Sequence, residues 1–504
     1  MIDHLTPSPY QTNSLLPLAN DWSDSIGSLF FWMFESKSFQ KNKKLIFFFN
    51  GGPGCSSMDG VFLENGPFIP MQDGSVQLRS VNWLDSATVV FLDQPVGTGY
   101  SHTGKKKKNG YATSLEQVAE HFHAFLDRFF EVFRELGTAE LYITGESYAG
   151  QYIPYMVKKM MTSVPKRNLR GIMIGSGWMD PKRQYLSSVD YAVSNNILGG
   201  EYLTEAHNAQ EQCRHLYASN PHESIKKFAC EEILDVILLN STHNDHNCIN
   251  MYDIRYHDAT ADGGCGMYAW PPHLHEMASY LDRDDVKEAL HVTRNIDKPR
   301  WVECDTMVSK GLSDTLDVPS YLLLPDILAR IPVLLYNGDK DLICNWFGIY
   351  DMVNELSWNG NKGMQNATKE AWYLDSQLQG WYQTSRNLTF VLKHNASHMM
   401  PVDAPEAARN ILNRFIGAEA MEITHERLKH GQLGMSQPSF GELNSSTVDR
   451  EGIATFLYED SVSSATGGAN LGAVMALLAI GILLMVISLA IVYLHVKRFR
   501  GEGW

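Results

Sequence analysis

The chain has 504 residues, of which 44% are apolar and 11% aromatic. Such a composition supports a large buried core and argues against a disordered chain. The net charge is −15 at pH 7 and the pI is near 5.6, so the protein lacks the cationic balance that broad nucleic-acid binding requires. The length suits one large domain with an insertion, or two domains.

The start of the chain and the cysteines disagree on whether the protein enters the secretory lumen. Residues 1–20 lack the cationic stretch and long apolar run of a signal peptide. Either the sequence lacks its first segment or the protein never enters the secretory lumen. Seven cysteines and five Asn-x-Ser/Thr sequons favour the lumen. The predicted glycosylation sites are Asn240, Asn366, Asn387, Asn395 and Asn444. Because no C-x-x-C pair occurs, we expect no metal site.

Six short runs rich in β-branched and aromatic residues predict strands. They are residues 45–49, 88–92, 141–144, 172–174, 333–336 and 388–392. Residues 115–136, between the second and third runs, have helical spacing. Strands that alternate with helices predict a largely parallel sheet covered on both faces.

A break in this alternation predicts an insertion. Residues 181–310 contain most of the cysteines and are expected to form a disulfide-stapled cap. Residues 1–180 and 311–417 then form the two parts of the core. Residues 418–470 are rich in Gly, Ser, Thr, Glu and Asp, which is typical of a stalk.

The C-terminal region predicts a membrane anchor. Residues 471–494 carry no charge and are long enough to span a bilayer as a helix. Lys497, Arg498 and Arg500 follow, and cationic flanks stay on the cytosolic side. We therefore expect residues 495–504 in the cytosol and the bulk of the chain in the lumen, as in a single-pass type I protein. A buried core helix and a tail-anchored orientation are the alternatives.

The pattern around Ser147 predicts a nucleophile elbow. A predicted strand leads directly into residues 145–150 (GESYAG), where small residues flank the serine. A strand, a tight turn and a helix expose such a serine at the edge of an α/β-hydrolase sheet. Ala149 stands where Gly is more common. Taken alone, this pattern fits a structural turn equally well.

A serine nucleophile needs a base, and the base needs an acid to hold it. In the α/β-hydrolase fold these residues occur in the order Ser, acid, His. Asp341 follows the predicted strand 333–336, and His398 lies in the loop after the last strand. Asp339 competes with Asp341, which we prefer because it lies farther into the loop. The sequence thus predicts a triad of Ser147, Asp341 and His398.

A glycine-rich segment, residues 50–57 (NGGPGCSS), follows the first predicted strand directly. Its glycines let backbone N–H groups approach a developing oxyanion, and this fold needs such a loop at this place. A plain glycine-rich turn is the alternative, but it would not explain the position after the first strand.

Together, these segments resemble the serine carboxypeptidase family. The matching segments are residues 50–57 (NGGPGCSS), 64–67 (ENGP), 93–101 (DQPVGTGYS), 145–150 (GESYAG), 337–341 (NGDKD) and 398–401 (HMMP). The resemblance extends over about residues 27–415. With the predicted anchor, the chain is most similar to the membrane-bound pheromone-processing carboxypeptidases of the fungal Golgi, which trim C-terminal Lys and Arg.

The resemblance implies an enzyme without a cofactor that acts on the C-termini of peptides and proproteins in the trans-Golgi network. It implies that the backbone N–H groups of Gly52 and Tyr148 bind the oxyanion. It also implies that Asn50, Glu64 and Glu146 bind the terminal carboxylate of the substrate. Two acids can bind a carboxylate only when they are protonated, so we expect activity at acidic pH.

The resemblance also assigns the cysteines. It implies disulfides Cys55–Cys304, Cys213–Cys230 and Cys248–Cys265, and it places Cys344 as a free thiol beside the pocket for the residue before the cleaved bond.

Two departures from the family stand out. Phe48 replaces a usual Trp, and residues 9–16 do not match the family's first strand, which raises the alternative that an edge strand is absent.

Two other functions remain open at this point. One is an acyltransferase on the same scaffold, and the other is an inactive membrane-anchored binding relative. The Glu64–Glu146 pair favours a peptide carboxylate, and the intact triad favours an enzyme. Asp180 and Asp190, in and beside the insertion, are the candidates for recognising Lys or Arg.

Overall fold

The computed structural model describes residues 11–17, 27–37, 43–103, 110–164, 166–200, 202–219, 228–241, 247–259, 266, 270–292, 300–313 and 315–418. The predicted span 471–494 and tail 495–504 lie outside these residues, as does the stalk apart from its first residue. Within the described part of the chain, no helix is long and apolar enough to cross a membrane.

The strands alternate with helices as the sequence predicts. The strands are β1 (Gln11–Pro17), β2 (Gly27–Phe34), β3 (Lys44–Phe49), β4 (Phe68–Pro70), β5 (Val76–Leu78), β6 (Thr88–Leu92), β7 (His102–Thr103), β8 (Glu140–Glu146), β9 (Leu169–Gly175), β10 (Asn247–Ile249), β11 (His257–Ala259), β12 (Val333–Gly338), β13 (Ser357–Trp358), β14 (Asn361–Lys362), β15 (Glu370–Leu374), β16 (Gln377–Ser385) and β17 (Leu388–Lys393). The helices are α1 (Met58–Phe62), α2 (Leu115–Val132), α3 (Ala149–Thr162), α4 (Pro181–Ser194), α5 (Tyr202–Ser219), α6 (Phe228–Asn240), α7 (Leu274–Leu281), α8 (Asp284–Ala289), α9 (Thr306–Ser313), α10 (Leu324–Leu328), α11 (Trp346–Glu355), α12 (Met400–Asp403) and α13 (Pro405–Ile416). Short 3₁₀ turns occur at Trp83–Asp85, Arg134–Leu136 and Ser320–Leu323.

The central sheet is parallel in its middle, as predicted. The strand order is β1-β2-β6-β3-β8-β9-β12-β17-β16-β15, with β7 beside β2. The six strands from β6 to β17 pair in parallel, and all six correspond to the predicted runs. Their carboxyl ends therefore meet at one edge, where ligands bind in open α/β sheets.

The two edges of the sheet are antiparallel, which the sequence did not predict. At one edge β1 pairs with β2 from Gln11↔Phe34 to Pro17↔Ser28, so an edge strand is present despite its unfamiliar sequence. At the other edge β15 and β16 form a hairpin. Its turn residues, Asp375 and Ser376, both have positive φ, as tight two-residue hairpin turns require.

Alternate side chains of the parallel strands enter two separate cores. Phe47 and Phe49 of β3 pack with α2 and α3 on one face. Phe48 of the same strand packs on the other face with residues of α7, α8 and α13. A strand that is buried on both faces is continuously apolar, which explains why these runs are easily recognised in the sequence.

The cap has a third core of its own. Residues of α4, α5 and α6 pack together with Ile249 and Met251, and Leu342 of the main domain joins them. The disulfide between Cys213 of α5 and Cys230 of α6 crosses this core. The later helices of the predicted insertion, α7 and α8, pack instead on the sheet.

Candidate active site

Ser147 lies in a strained turn between β8 and α3. Its φ is +57°, a left-handed conformation that is uncommon for residues other than glycine. The turn leaves no room for larger neighbours, because a Cβ at Gly145 would lie 2.5 Å from the carbonyl oxygen of Phe49 and 2.9 Å from the Cβ of Ala149. Ala149 itself is fully buried. The predicted elbow therefore has the geometry that exposes a nucleophile.

The glycine-rich loop after β3 lies directly against this elbow. A Cβ at Gly51 would lie 2.4 Å from the backbone nitrogen of Tyr148 and 2.7 Å from the Cβ of Ser147. Gly52 follows with φ +107°. Only glycines allow this approach, which places the backbone of both predicted oxyanion donors, Gly52 and Tyr148, beside the serine.

The predicted acid and base form a buried pair. The Nδ1 atom of His398 lies 2.9 Å from Oδ2 of Asp341, and both side chains are almost completely buried. The other oxygen of Asp341 accepts a hydrogen bond from the backbone N–H of Cys344 at 3.0 Å. Asp339, the competing acid, instead accepts a hydrogen bond from the backbone N–H of Asn395.

The end of β9 brings the elbow and the histidine loop together. The N–H of Ser147 donates to the carbonyl of Gly175 at 3.1 Å. The next residue, Ser176, donates from Oγ to the carbonyl of His398 at 2.9 Å. Gly175 and Ser176 are consecutive residues at the end of β9, and they therefore hold the segments that carry Ser147 and His398.

Asn50 joins the two predicted carboxylate-binding acids. Its Nδ2 donates to Oε1 of Glu64 and to Oε1 of Glu146, each at 2.9 Å. Its own Oδ1 accepts from the N–H of Gly60 at 3.0 Å. All three side chains are at most 2% exposed. Asn50 directly follows β3, Glu64 lies two residues after α1, and Glu146 ends β8, so the triangle forms beside the elbow.

Burial alters the protonation of these acids. It raises the pKa of Glu64, and it raises the pKa of Glu146 well above its ordinary value, with the charge of Glu64 adding to the effect. Because two neighbouring buried carboxyls cannot both ionise easily, we expect this pair to hold one proton between them. A protonated carboxyl can donate to an anion, which an ionised one cannot do.

Phe48 does not take part in this network. It is fully buried and contacts Trp83 edge-on, with ring centroids 5.7 Å apart. The surroundings of this side chain are therefore purely apolar.

The cysteines pair largely as the resemblance implies. Cys55 is bonded to Cys304, and Cys213 to Cys230. Cys248 is also disulfide-bonded, but its expected partner, Cys265, lies outside the described residues. Cys344 is a buried free thiol beside Ser147 and Asp341, and burial raises its pKa well above the ordinary value.

Two further acids lie at the site that sequence reasoning missed. Asp59 of α1 is 1% exposed, and its Oδ1 is buried without a hydrogen-bond partner. Burial raises its pKa well above the ordinary value, and the charges of Glu303 and Glu64 raise it further. Glu303 precedes Cys304, whose disulfide to Cys55 ties it to the glycine-rich loop. The position of Asp59, just after that loop, was the available sequence signal.

Asp180 and Asp190 lie in other surroundings. Asp180 accepts from the backbone N–H of Arg183 at the start of α4, and it also forms an ion pair with that arginine. Asp190 is on α4, where burial raises its pKa and the nearby side chains of His207 and Arg214 oppose that rise.

The predicted sequons differ in what can be seen of them. Asn366, Asn387 and Asn395 are exposed. Asn444 and the side chain of Asn240 lie outside the described residues. Among the residues that are described, no group of three or more His, Cys, Asp or Glu side chains could hold a metal ion.

Comparisons with known proteins agree with this architecture. The sequence profile of the family described as serine carboxypeptidase matches residues 20–418. The chain is 39% identical to a pheromone-processing carboxypeptidase of Pyrenophora tritici-repentis over 417 residues, which cover 79% of this chain and 64% of that protein. For the corresponding protein of Phaeosphaeria nodorum, the identity is 38% over 452 residues, or 86% of this chain and 69% of the relative. The chain thus spans about two thirds of the length of these relatives.

A solved structure of a carboxypeptidase has the same fold. The crystal structure of Kex1Δp, a prohormone-processing carboxypeptidase from Saccharomyces cerevisiae, superimposes with a TM-score of 0.73 at 32% sequence identity. The match covers 82% of this chain and 92% of the yeast chain. An α/β-hydrolase fold with a mixed sheet and disulfides is therefore common to both, and the chain belongs to the serine carboxypeptidase family of hydrolases.

Proposed function

We propose that this protein removes single residues, Lys or Arg above all, from the C-termini of peptides and proproteins. The observation that carries the proposal is the Asn50–Glu64–Glu146 triangle beside the elbow of Ser147. A site with donors for a carboxylate at this place selects the last residue of a chain. An acyltransferase or a general esterase would not need it.

The chemistry follows from the site. Ser147 attacks the carbonyl carbon of the last peptide bond while His398 takes its proton. Asp341 holds the imidazole by the 2.9 Å contact and stabilises its charged form. The N–H groups of Gly52 and Tyr148 bind the oxyanion that develops. His398 then gives the proton to the departing amine. In the second half of the reaction a water molecule takes the place of the serine as nucleophile: His398 takes its proton, the water attacks the acyl carbon, and the proton returns to Ser147.

Asp59 and Glu303 support a preference for a cationic last residue. Asp59 lies near Glu64, which belongs to the carboxylate triangle, and Glu303 lies near Asp59. Burial makes ionisation of Asp59 costly, and a cationic side chain of the substrate would offset that cost. One C-terminal Lys or Arg therefore offers a carboxylate to the triangle and a cation to this acidic pair.

The preference can be tested with matched peptides that end in Arg or Leu. For Asp59→Asn and Glu303→Gln, the ratio of kcat/KM for Arg to that for Leu should fall by about tenfold or more, the size typical of a lost close charge pair. Asp180→Asn serves as a control because its charge is paired with Arg183. If only the control lowers the ratio, Asp59 and Glu303 do not set the specificity.

We also propose that the protein works in the late secretory pathway, with the catalytic part in the lumen of the trans-Golgi network and residues 471–494 as its anchor. The disulfides Cys55–Cys304 and Cys213–Cys230 support this, because disulfides persist in oxidising compartments. The names of the pheromone-processing relatives support it as well. In intact vesicles the catalytic part should resist added protease, and glycosidase should shift its gel mobility. A protease-sensitive catalytic part without a shift would indicate the opposite orientation.

The central test of the proposed chemistry is a covalent one. The purified wild type should react with a phosphonylating reagent, gain its mass at Ser147 and lose activity in parallel. Ser147→Ala should neither gain the mass nor cleave the peptide. Activity that survives in Ser147→Ala would exclude this serine as the nucleophile.

A further inference from the structure

One short cap segment, residues 251–255, touches both loops that carry the predicted acid and base. We call it the clamp segment. It follows β10, whose Cys248 is disulfide-bonded, and it precedes β11. Although the segment belongs to the insertion, it also makes several polar contacts with the main domain. Those contacts are of three kinds.

The first kind joins the clamp segment to the loop of the catalytic acid. The carbonyl of Met251 accepts from the N–H groups of Leu342 and Ile343, at 3.1 and 3.0 Å. The N–H of Ile254 donates to the carbonyl of Lys340 at 3.0 Å. These three hydrogen bonds enclose Asp341 from both sides along the chain.

The second kind joins it to the catalytic histidine itself. The N–H of His398 donates to the carbonyl of Tyr252 at 2.9 Å. The ring of Tyr252 lies edge-on to the imidazole, with centroids 5.2 Å apart, and it also stacks on Trp270. The cap thus contacts both the backbone and the ring of the base.

The third kind is an arginine with three acceptors. Arg255 forms a bidentate ion pair with Asp253, which is fully buried. Its Nη2 also donates to Oδ1 of Asp403 at 2.6 Å, and its Nη1 donates to the carbonyl of Asn395 at 3.1 Å. Asp403 in turn accepts from the N–H of Ser397 at 2.7 Å. The guanidinium therefore holds the loop that carries His398 at two points, one of them through the residue next to the histidine.

We propose that the clamp segment positions Asp341 and His398 relative to each other, with Arg255 as the main positioning residue. The inference rests on the proposed triad. It does not give Arg255 a contact with the substrate: the arginine acts through the histidine loop. A rigid, planar fork suits this role because it satisfies several acceptors in fixed directions, which a lysine cannot do.

The test removes the arginine without leaving its buried partner charged. In Asp253→Asn/Arg255→Met both members of the ion pair are neutral, whereas Arg255→Met alone would leave Asp253 uncompensated. We expect kcat to fall by about 30-fold or more, because a misplacement of about 1 Å costs about 100-fold in rate. KM should change by less than about threefold, since the carboxylate triangle is untouched. Arg255→Lys should recover part of the loss.

Asp403→Asn provides an independent variant should the first fail to fold. It keeps an oxygen for Ser397 but cannot pair with Arg255. Arg214→Met is the matched control, because its exposed pair with Glu211 lies on α5 of the same cap. The control should leave kcat unchanged. Thermal unfolding of each variant shows whether the enzyme assayed is folded.

A second background separates positioning from mere stabilisation. In Asp341→Asn the acid can no longer act on the base, so adding Asp403→Asn should lower the residual kcat by less than about twofold. An equal loss in both backgrounds, a loss confined to KM, or full activity of both clamp variants would overturn the proposal. Ser147→Ala is measured in parallel. If it retains activity, the proposed triad fails, which is a different result from a failed clamp.

Discussion

The pH dependence of substrate binding should change when Glu146 is replaced by Gln. In the wild type, burial raises the pKa of Glu64 and Glu146, and we expect these neighbouring carboxyls to hold one proton between them. At acidic pH that proton is available to the substrate carboxylate. As the pH rises it is lost, and the triangle then places negative charge against the negative charge of the substrate. The sign is therefore fixed: KM should rise with pH.

The size of the effect follows from the hydrogen bonds at stake. The second oxygens of Glu64 and Glu146 are buried and have no hydrogen-bond partner, so they are the atoms from which a shared proton can be donated to the substrate carboxylate. A hydrogen bond to a charged group contributes about 1.5–3 kcal/mol, which corresponds to a rise in KM of about 10- to 150-fold. In Glu146→Gln an amide donates at every pH, and the rise should shrink to a few fold.

Steady-state kinetics of a blocked peptide with a free C-terminus, from about pH 5 to pH 8, measure this directly. Glu116→Gln is a suitable control, because Glu116 is an exposed acid on α2. Its KM profile should follow that of the wild type. If Glu146→Gln shows the same rise in KM as the wild type, the shared proton does not bind the substrate and the reasoning is wrong.

Three further predictions concern the elbow, the loop and the buried acids. Ser147→Ala should lower kcat by about 10⁴ to 10⁶ in single-turnover assays of folded protein, and a loss below about tenfold would contradict its role as nucleophile. Gly51→Ala should lower kcat by about 100- to 1,000-fold with little change in KM, because the new Cβ would push the oxyanion loop away from Tyr148 and Ser147. Gly199→Ala has open space around it and should have no such effect in the same assay. Since burial raises the pKa of Asp59 above its ordinary 3.8, the native state loses stability as the pH rises above that value. Asp59→Asn should therefore raise Tm by about 2 °C or more near pH 7.5 and by much less near pH 4, and equal shifts at both pH values would argue against this.

The middle of the sheet was predictable because its strands are buried on both faces. Residues 88–92 form β6 as predicted, since a continuous run of β-branched and aromatic residues is typical of a strand that is buried on both faces. The edge strand β1 was not predictable. Its sequence, QTNSLLP, is partly polar, and an edge strand is held chiefly by backbone hydrogen bonds to one neighbour.

The same distinction holds at the site. Ser147 and Gly52 belong to compact motifs, in which the backbone geometry itself demands glycine or small residues nearby. Arg255 has no such local signature. It meets Asp403 across 148 residues of sequence, and only the packing of the cap on the main domain brings the two together. Residues that act through distant partners become visible only in the folded structure.

The carboxypeptidase proposal is tested most directly by comparing one blocked peptide ending in Arg with its C-terminal amide, using purified wild-type protein near pH 5.5. Mass spectrometry should detect free Arg from the acid, with kcat/KM at least about 100-fold above that for the amide, because the amide removes the carboxylate that Asn50, Glu64 and Glu146 bind. Equal rates for acid and amide between about pH 5 and pH 8 would contradict the carboxypeptidase proposal.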